Sequence, residues 1–347
     1  MIYTYEVIII GGGQAGLAMA YALKKQNIHY VILDQNNHTG VSWEKRYDSL
    51  TLFTPRNYST LFEYNMEGQS NGFPSKDEIA SYLRRFSMEH HMVIKHNEKV
   101  LRVKKRSIDI FKVETESNEY LASQVIVATG AFHHPFVPNI HDGLTPFVIH
   151  SHEYKNPQQV PKGKVLVVGS GNTGVQIAAE LSQTHDVVLS SSKKGKIIPT
   201  RILGKSLFWW LDVMGISKAK SDSIIGRILQ RRDPIIGTDY KTVKKHVEMV
   251  SRLLKVEDGT CFFKEDRPME IGSIIWATGY KNKYDWIQIE GAVDLRGNPN
   301  HIFGESPARG LYFIGLSWQS RRSSALIYGV EKDAKYVARL VMKMKNN

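Results

Sequence analysis

The chain has 347 residues, 42% of them hydrophobic and 23% charged, with one cysteine and a net charge of +12. Those figures describe about two globular domains, each long enough to bury a core, and exclude a collagen, a disulfide scaffold and a disordered tail protein. Cys261 has no second cysteine to join, so a CxxC redox pair and a cysteine-held zinc are excluded, and a reduced, cytoplasmic setting is expected.

The first element is the β-branched run Val7-Ile8-Ile9-Ile10, the pattern of a strand buried on both faces of a parallel sheet. It reads as a strand rather than a secretion signal, because Glu6 interrupts the apolar stretch and glycines follow it. Gly11-Gly12-Gly13-Gln14-Ala15-Gly16 comes next, then a helical segment from Leu17 to Lys25 and a second strand, Tyr30-Val31-Ile32-Leu33, ending in Asp34. Strand, glycine turn, helix, strand and acid together form the context that a GxGxxG needs before it indicates a dinucleotide site. The backbone at Gly11, Gly13 and Gly16, with Gln14 and Ala15 opening the helix, approaches a pyrophosphate at the positive helix end. Asp34, with Gln35 beside it, lies 23 residues after Gly11 and accepts from a ribose 2′-hydroxyl. A carboxylate there repels a 2′-phosphate, so this site suits FAD or NAD and not NADP.

The unit recurs. Val165-Leu166-Val167-Val168 runs into Gly169-Ser170-Gly171-Asn172-Thr173-Gly174, a helix over 175–183 and a strand at Val187-Val188-Leu189. The 23-residue offset from Gly169 lands on Ser192, within Ser190-Ser191-Ser192-Lys193-Lys194. Hydroxyls and ammonium groups at Ser191, Ser192, Lys193 and Lys194 favour NADPH over NADH; the alternative is a solvated Ser/Lys turn. Arg201 is a further candidate for the 2′-phosphate. Two apolar strands end alike, in Ala128-Thr129-Gly130 and Ala277-Thr278-Gly279, one downstream of each fingerprint. There the chain passes back beside a dinucleotide, where a side chain would obstruct it. After Gly279 another buried strand, Gly310 to Gly315, and an amphipathic helix over 324–342 return to the first unit.

The reading is an α/β fold of two Rossmann-like dinucleotide-binding domains, the second inserted in the first. Residues 1–158 and 281–347 form the FAD-binding domain, and 159–280 the NADPH-binding domain. The basic residues are spread along the chain with no zinc finger or long basic arm, so phosphate sites explain the charge and nucleic acid is not expected. No stretch approaches the roughly 20 apolar residues that span a bilayer. His90-His91 and His133-His134 are adjacent pairs without metal-ligand spacing, and His150 with His152 is half a site, so no metal is expected. Two dinucleotides imply a hydride relay from nicotinamide to flavin. With no dithiol and no cysteine run for an iron–sulfur cluster, the electrons then pass to O2 or to a soluble acceptor.

The chain resembles the flavin-containing monooxygenases, especially short bacterial flavoproteins of that type and the plant YUCCA-like enzymes. The resemblance covers nearly the whole chain. It rests on both glycine fingerprints, on Gly40-Val41-Ser42-Trp43-Glu44-Lys45-Arg46-Tyr47-Asp48-Ser49-Leu50, on both Ala-Thr-Gly strands, on Tyr280, and on a linker pattern, FxGxxxHxxx(Y/F)(K/R)xP. His150, Tyr154, Lys155 and Pro157 stand in register for that pattern, with Leu144 and Pro146 replacing its Phe and Gly. The resemblance implies that Trp43 and Arg46 lie against the flavin pyrophosphate and ring, with core packing the alternative for Trp43. It implies too that Gly315, Trp318 and Gln319 pass the flavin's pyrimidine edge. Many family members carry an asparagine that holds the cofactor and oxygen adduct; by the resemblance, Thr54 stands here as the equivalent catalytic position. The implied reaction is hydride transfer from NADPH to FAD, then activation of O2 as a C4a-(hydro)peroxyflavin that oxygenates a small amine, sulfide or carbonyl substrate. The cofactor carries that chemistry. The alternatives are an NADPH-dependent flavin reductase or oxidase that releases H2O2 or feeds another acceptor, and a non-catalytic nucleotide sensor. The Phe208-Trp209-Trp210-Leu211 cluster is expected to be core, with a substrate cover or a membrane contact as alternatives. Oligomeric state is open, a homodimer included.

Overall fold

Val7, Ile8, Ile9 and Ile10 are buried because they lie at the centre of a sheet covered on both faces. In this computed structural model, which describes residues 2–132, 134–140, 147–192, 197–231, 235–237 and 240–346, the strand Ile2–Ile10 pairs in parallel with Tyr30–Leu33 and with Glu119–Val127. Ile94–Lys95 extends the sheet beyond Tyr30–Leu33, and Leu311–Phe313 runs parallel to Val125–Val127. An antiparallel meander of Val100–Ser107, Ile110–Thr115 and the start of Glu119–Val127 completes it, with Ile287–Gln288 at its edge. The helix Gln14–Lys24 packs on the C-terminal helix Ile327–Lys345 over one face. Phe111, Val113, Tyr120 and Phe313 are buried on the other.

A second sheet is wholly parallel, in the order Glu248–Val250, Asp186–Ser190, Lys164–Val168, Ser273–Trp276, Phe147–His150. Its edge strand Phe147–His150 corrects the boundary drawn from sequence, since the chain enters this sheet upstream of residue 159. Four residues with no glycine turn after them carry too weak a pattern to mark a strand. The two connections between the sheets run side by side, His134–Pro135 pairing with Tyr280–Lys281. The Phe136 N–H donates to Gly279 O at 2.9 Å, and the Thr278 hydroxyl donates to Phe136 O. Leu144, Pro146, His133, Lys193 and Lys194 lie outside the described residues.

Between Asp186–Ser190 and Glu248–Val250 the chain leaves the second sheet as an arm of short pieces. These include the hairpin Arg201–Ile202/Lys205–Ser206 and the helices Leu207–Val213 and Ile224–Arg231. Leu207 and Phe208 are buried against Phe53, Tyr58 and Tyr328 of the first unit, and the Tyr328 hydroxyl donates to Asp212. The cluster at 208–211 is therefore divided: Phe208 is core, while Trp209 is 38% exposed.

Candidate dinucleotide sites

The two glycine turns repeat atom for atom. The Gly11 N–H donates to Leu33 O at 2.8 Å and the Gly169 N–H to Ser190 O at 2.9 Å. Ala128 N donates to Ile10 O and Ala277 N to Val168 O, both at 2.8 Å. Gly11 and Gly169 adopt φ of +108° and +110°, and a side chain on either would strike the carbonyl of Ala128 or Ala277. Gly16 and Gly174 let each helix lie against its own turn, since a Cβ there would meet the carbonyl of Gly11 or Gly169. Around Gly13, Gly130, Gly171 and Gly279, by contrast, nothing lies within 4 Å of the place a Cβ would take. Each unit thus offers open backbone at a helix N-terminus and at the facing Ala-Thr-Gly turn, the cradle that a pyrophosphate needs.

What ends the second strand differs. Asp34 is buried; its Oδ2 accepts from Gly12 N at 2.5 Å and its Oδ1 from Asn36 N at 2.7 Å and Asn36 Nδ2 at 2.9 Å. Those bonds fix a carboxylate at the lip of the first turn. Because Gly11 bonds to Leu33 and Gly169 to Ser190, the residue matching Asp34 is Ser191, not Ser192. The helix Asn172–Leu181 is one residue shorter than Gln14–Lys24, at 10 residues against 11, which accounts for the slip. The Ser191 hydroxyl meets that of Ser170 at 2.5 Å, as Asp34 meets Gly12, and Ser192 is exposed beside it. Asn172 Oδ1 accepts from Ile236 N at 2.9 Å, tying the arm to the second turn; Thr173 is half-buried there. Arg201 points elsewhere, donating to Asn71 O at 2.7 Å.

Trp43 packs on the core of the first unit, with its indole N–H 3.4 Å from Gln14 Oε1. Arg46 has aromatic neighbours: it donates to the Tyr280 hydroxyl at 3.0 Å, and its guanidinium lies 5.4 Å from the Phe132 ring centroid. Gly315, at φ +80°, brings the returning strand onto Ala15, so that Trp318 follows at the same turn. Two sequence-chosen side chains are already engaged. Gln319 Nε2 donates to Phe313 O at 3.0 Å, and the Thr54 hydroxyl pairs with Ser59 Oγ at 2.8 Å in a buried turn. Both therefore hold their own loops.

The linker motif joins the units. His150 Nδ1 accepts from His152 N at 3.1 Å, which leaves Nε2 carrying the proton toward Gly279 O at 3.0 Å. Burial pushes the imidazole's pKa down, in keeping with that neutral form. Tyr154 donates to Glu180 Oε2 at 2.9 Å, while the Lys155 ammonium donates to Lys45 O and its carbonyl accepts from Asp48 N at 2.8 Å. Sequence reasoning did not find Tyr280 as the partner of Arg46, although it follows the second Ala-Thr-Gly; only folding brings residue 280 to residue 46. Among the described residues no group of three or more His, Cys, Asp or Glu is placed to hold a metal, and no helix is long and apolar enough to cross a membrane.

Paired glycine cradles, one on the parallel strands of a mixed sheet and one on a wholly parallel sheet, in a chain with no dithiol, define a flavoprotein oxidoreductase that uses a pyridine nucleotide. Residues 8–200 match the pyridine nucleotide-disulphide oxidoreductases. The chain belongs to that family. It is 41% identical over 340 residues to the uncharacterized oxidoreductase CzcO of Bacillus subtilis, covering 96% of this chain and 98% of that one. A probable indole-3-pyruvate monooxygenase of Arabidopsis thaliana, YUCCA3, is 27% identical over 97% of this chain and 86% of its own. The fold matches a flavin-containing monooxygenase from Stenotrophomonas maltophilia with a TM-score of 0.83, at 22% identity and 99% coverage of both chains.

Proposed function

We propose that this protein is a cytoplasmic, FAD-dependent and NADPH-using monooxygenase of two Rossmann-like domains, acting on a small amine, sulfide or carbonyl compound with O2 as co-substrate. The observation that carries this reading is the unlike ending of two otherwise equal turns. A fixed carboxylate at Asp34 suits a ribose with a free 2′-hydroxyl, while neutral Ser191 and Ser192 leave room for a 2′-phosphate. FAD, when bound at the first turn, would accept hydride from NADPH at the second and pass the electrons to O2. The chain's own residues bind and orient. Gly13, Gly130, Gly171 and Gly279 leave space for the pyrophosphates, Trp43 and Arg46 serve the first unit, and the sequence following Ser192 supplies lysines for a 2′-phosphate. A second reading, an NADPH oxidase releasing H2O2, is favoured by one observation: the Thr54 hydroxyl is buried in its own turn and paired with Ser59, where it holds the loop rather than an oxygen adduct.

The test is turnover with NADPH in air, with and without amine, sulfide or ketone substrates. Oxygenated product accompanied by little peroxide supports the monooxygenase. Peroxide equal to the NADPH consumed, whatever is added, supports the oxidase. No NADPH consumption at all rules out both.

A further inference from the structure

Residues 193–247 hold 13 Lys and Arg against 4 Asp and Glu, so this segment alone carries a net +9 of the chain's +12. Within it Arg201, Lys205, Lys220, Arg227, Lys244 and Lys245 are exposed. Large apolar side chains are exposed in the same segment. Leu203, at the tip of the hairpin, is 86% exposed, and Val213 is 62% exposed. The helix Leu207–Val213 buries Leu207 and Phe208 against the first unit and turns Trp209 and Val213, four residues apart, to the outside. Ile224 and Ile228 repeat that spacing on the helix Ile224–Arg231 and are 76% and 56% exposed. The hairpin and the first helix form one surface: Trp210 Nε1 donates to Ile202 O at 3.0 Å, and the Lys205 ammonium lies 5.6 Å from the Trp209 ring centroid.

Soluble proteins seldom expose apolar side chains grouped in this way without a partner. Bulky apolar groups ringed by lysine and arginine are the composition of a surface that lies in a membrane interface, where acyl chains take the one and anionic headgroups the other. We infer that the arm is a peripheral docking surface for an anionic lipid membrane, with Leu203, Trp209 and Val213 entering the headgroup boundary and the surrounding cations meeting lipid phosphates. Nucleic acid would satisfy the charge but leave these three side chains in water. The contact is peripheral, since no helix among the described residues is long and apolar enough to cross a bilayer.

The test uses the full-length holoprotein, sedimented with vesicles of phosphatidylglycerol or of phosphatidylcholine. Binding is expected to phosphatidylglycerol and about tenfold or more weaker to phosphatidylcholine. Leu203→Ser with Val213→Ser should keep the wild-type melting temperature, both side chains being exposed, and weaken phosphatidylglycerol binding by about tenfold or more. Lys205→Glu with Arg227→Glu should do the same. Failure of the wild type to bind phosphatidylglycerol overturns the inference. So does undiminished binding by the Leu203/Val213 variant, which, joined to tight binding of duplex DNA, assigns the surface to nucleic acid instead.

Discussion

Gly13 and Gly16 stand three residues apart and answer to different constraints. Gly13 has an ordinary extended backbone, φ −76°, and open space where a Cβ would sit. Gly13→Ala should therefore fold with a melting temperature within a few degrees of wild type while losing most of its flavin, because the methyl group takes the place of a pyrophosphate. At Gly16 the methyl group meets the Gly11 carbonyl, and overpacking of this kind costs about 1–3 kcal/mol; Gly16→Ala should melt lower even before flavin is added. Flavin content and thermal melting of the two variants check both statements. His150 gives a prediction of pH dependence. Burial holds its folded pKa below the value of about 6.5 for an unfolded histidine. In the window between those values the unfolded chain binds the proton and the folded chain does not, so stability rises with pH across it and is lost as pH falls below about 6.5. Protonation also turns Nδ1 from an acceptor of His152 N into a donor facing another donor. The melting temperature should fall on acidification, and fall less in His150→Gln, which cannot titrate. An equal fall in both would place the effect on other histidines.

At the scale of elements, the helix of the second turn is one residue short, and this puts Ser191 where Asp34 stands in the first. Ser191→Asp should therefore repel a 2′-phosphate. Loss of one charge-assisted contact is worth about 1.5–3 kcal/mol, so kcat/KM for NADPH should drop by about ten- to a hundredfold while that for NADH holds. An unchanged ratio would show that this strand end does not read the nucleotide. The fingerprints and the Ala-Thr-Gly strands were legible in sequence because their glycines are demanded by local backbone geometry, which leaves a local pattern. The register of Ser191 was not, because counting from a glycine cannot see a helix shortened by one residue. Phe147–His150 escaped as an edge strand of four residues, and the arm escaped because its pieces are too short for a periodicity to build. The partners of Thr54, Gln319 and Arg46 were hidden for a third reason: Ser59, the Phe313 carbonyl and Tyr280 are set by how loops close and units meet, which no spacing encodes.

Across the whole molecule, a linker motif and an arm hold the two matching glycine cradles together. His150 ties the linker to Gly279, and Asp212 on the arm accepts from Tyr328 on the C-terminal helix. Burial and the neighbouring Asp212 raise the Tyr58 hydroxyl beside this latch to about 12, so it stays protonated at any working pH. Tyr328→Phe removes the donor and leaves the ring; with about 1.5–3 kcal/mol lost for a hydrogen bond to a charged group, limited proteolysis should cut the arm faster while the rest of the chain stays resistant. The central claim is that flavin and pyridine nucleotide occupy the two cradles together and exchange hydride. Rapid mixing of the flavin-loaded protein with NADPH under anaerobic conditions tests it most directly. The visible flavin band should bleach within one turnover, faster with NADPH than with NADH, and Gly171→Ala, whose methyl group enters only the second cradle, should slow bleaching without loss of flavin. A flavin that stays oxidised with NADPH while dithionite bleaches it at once would contradict the account.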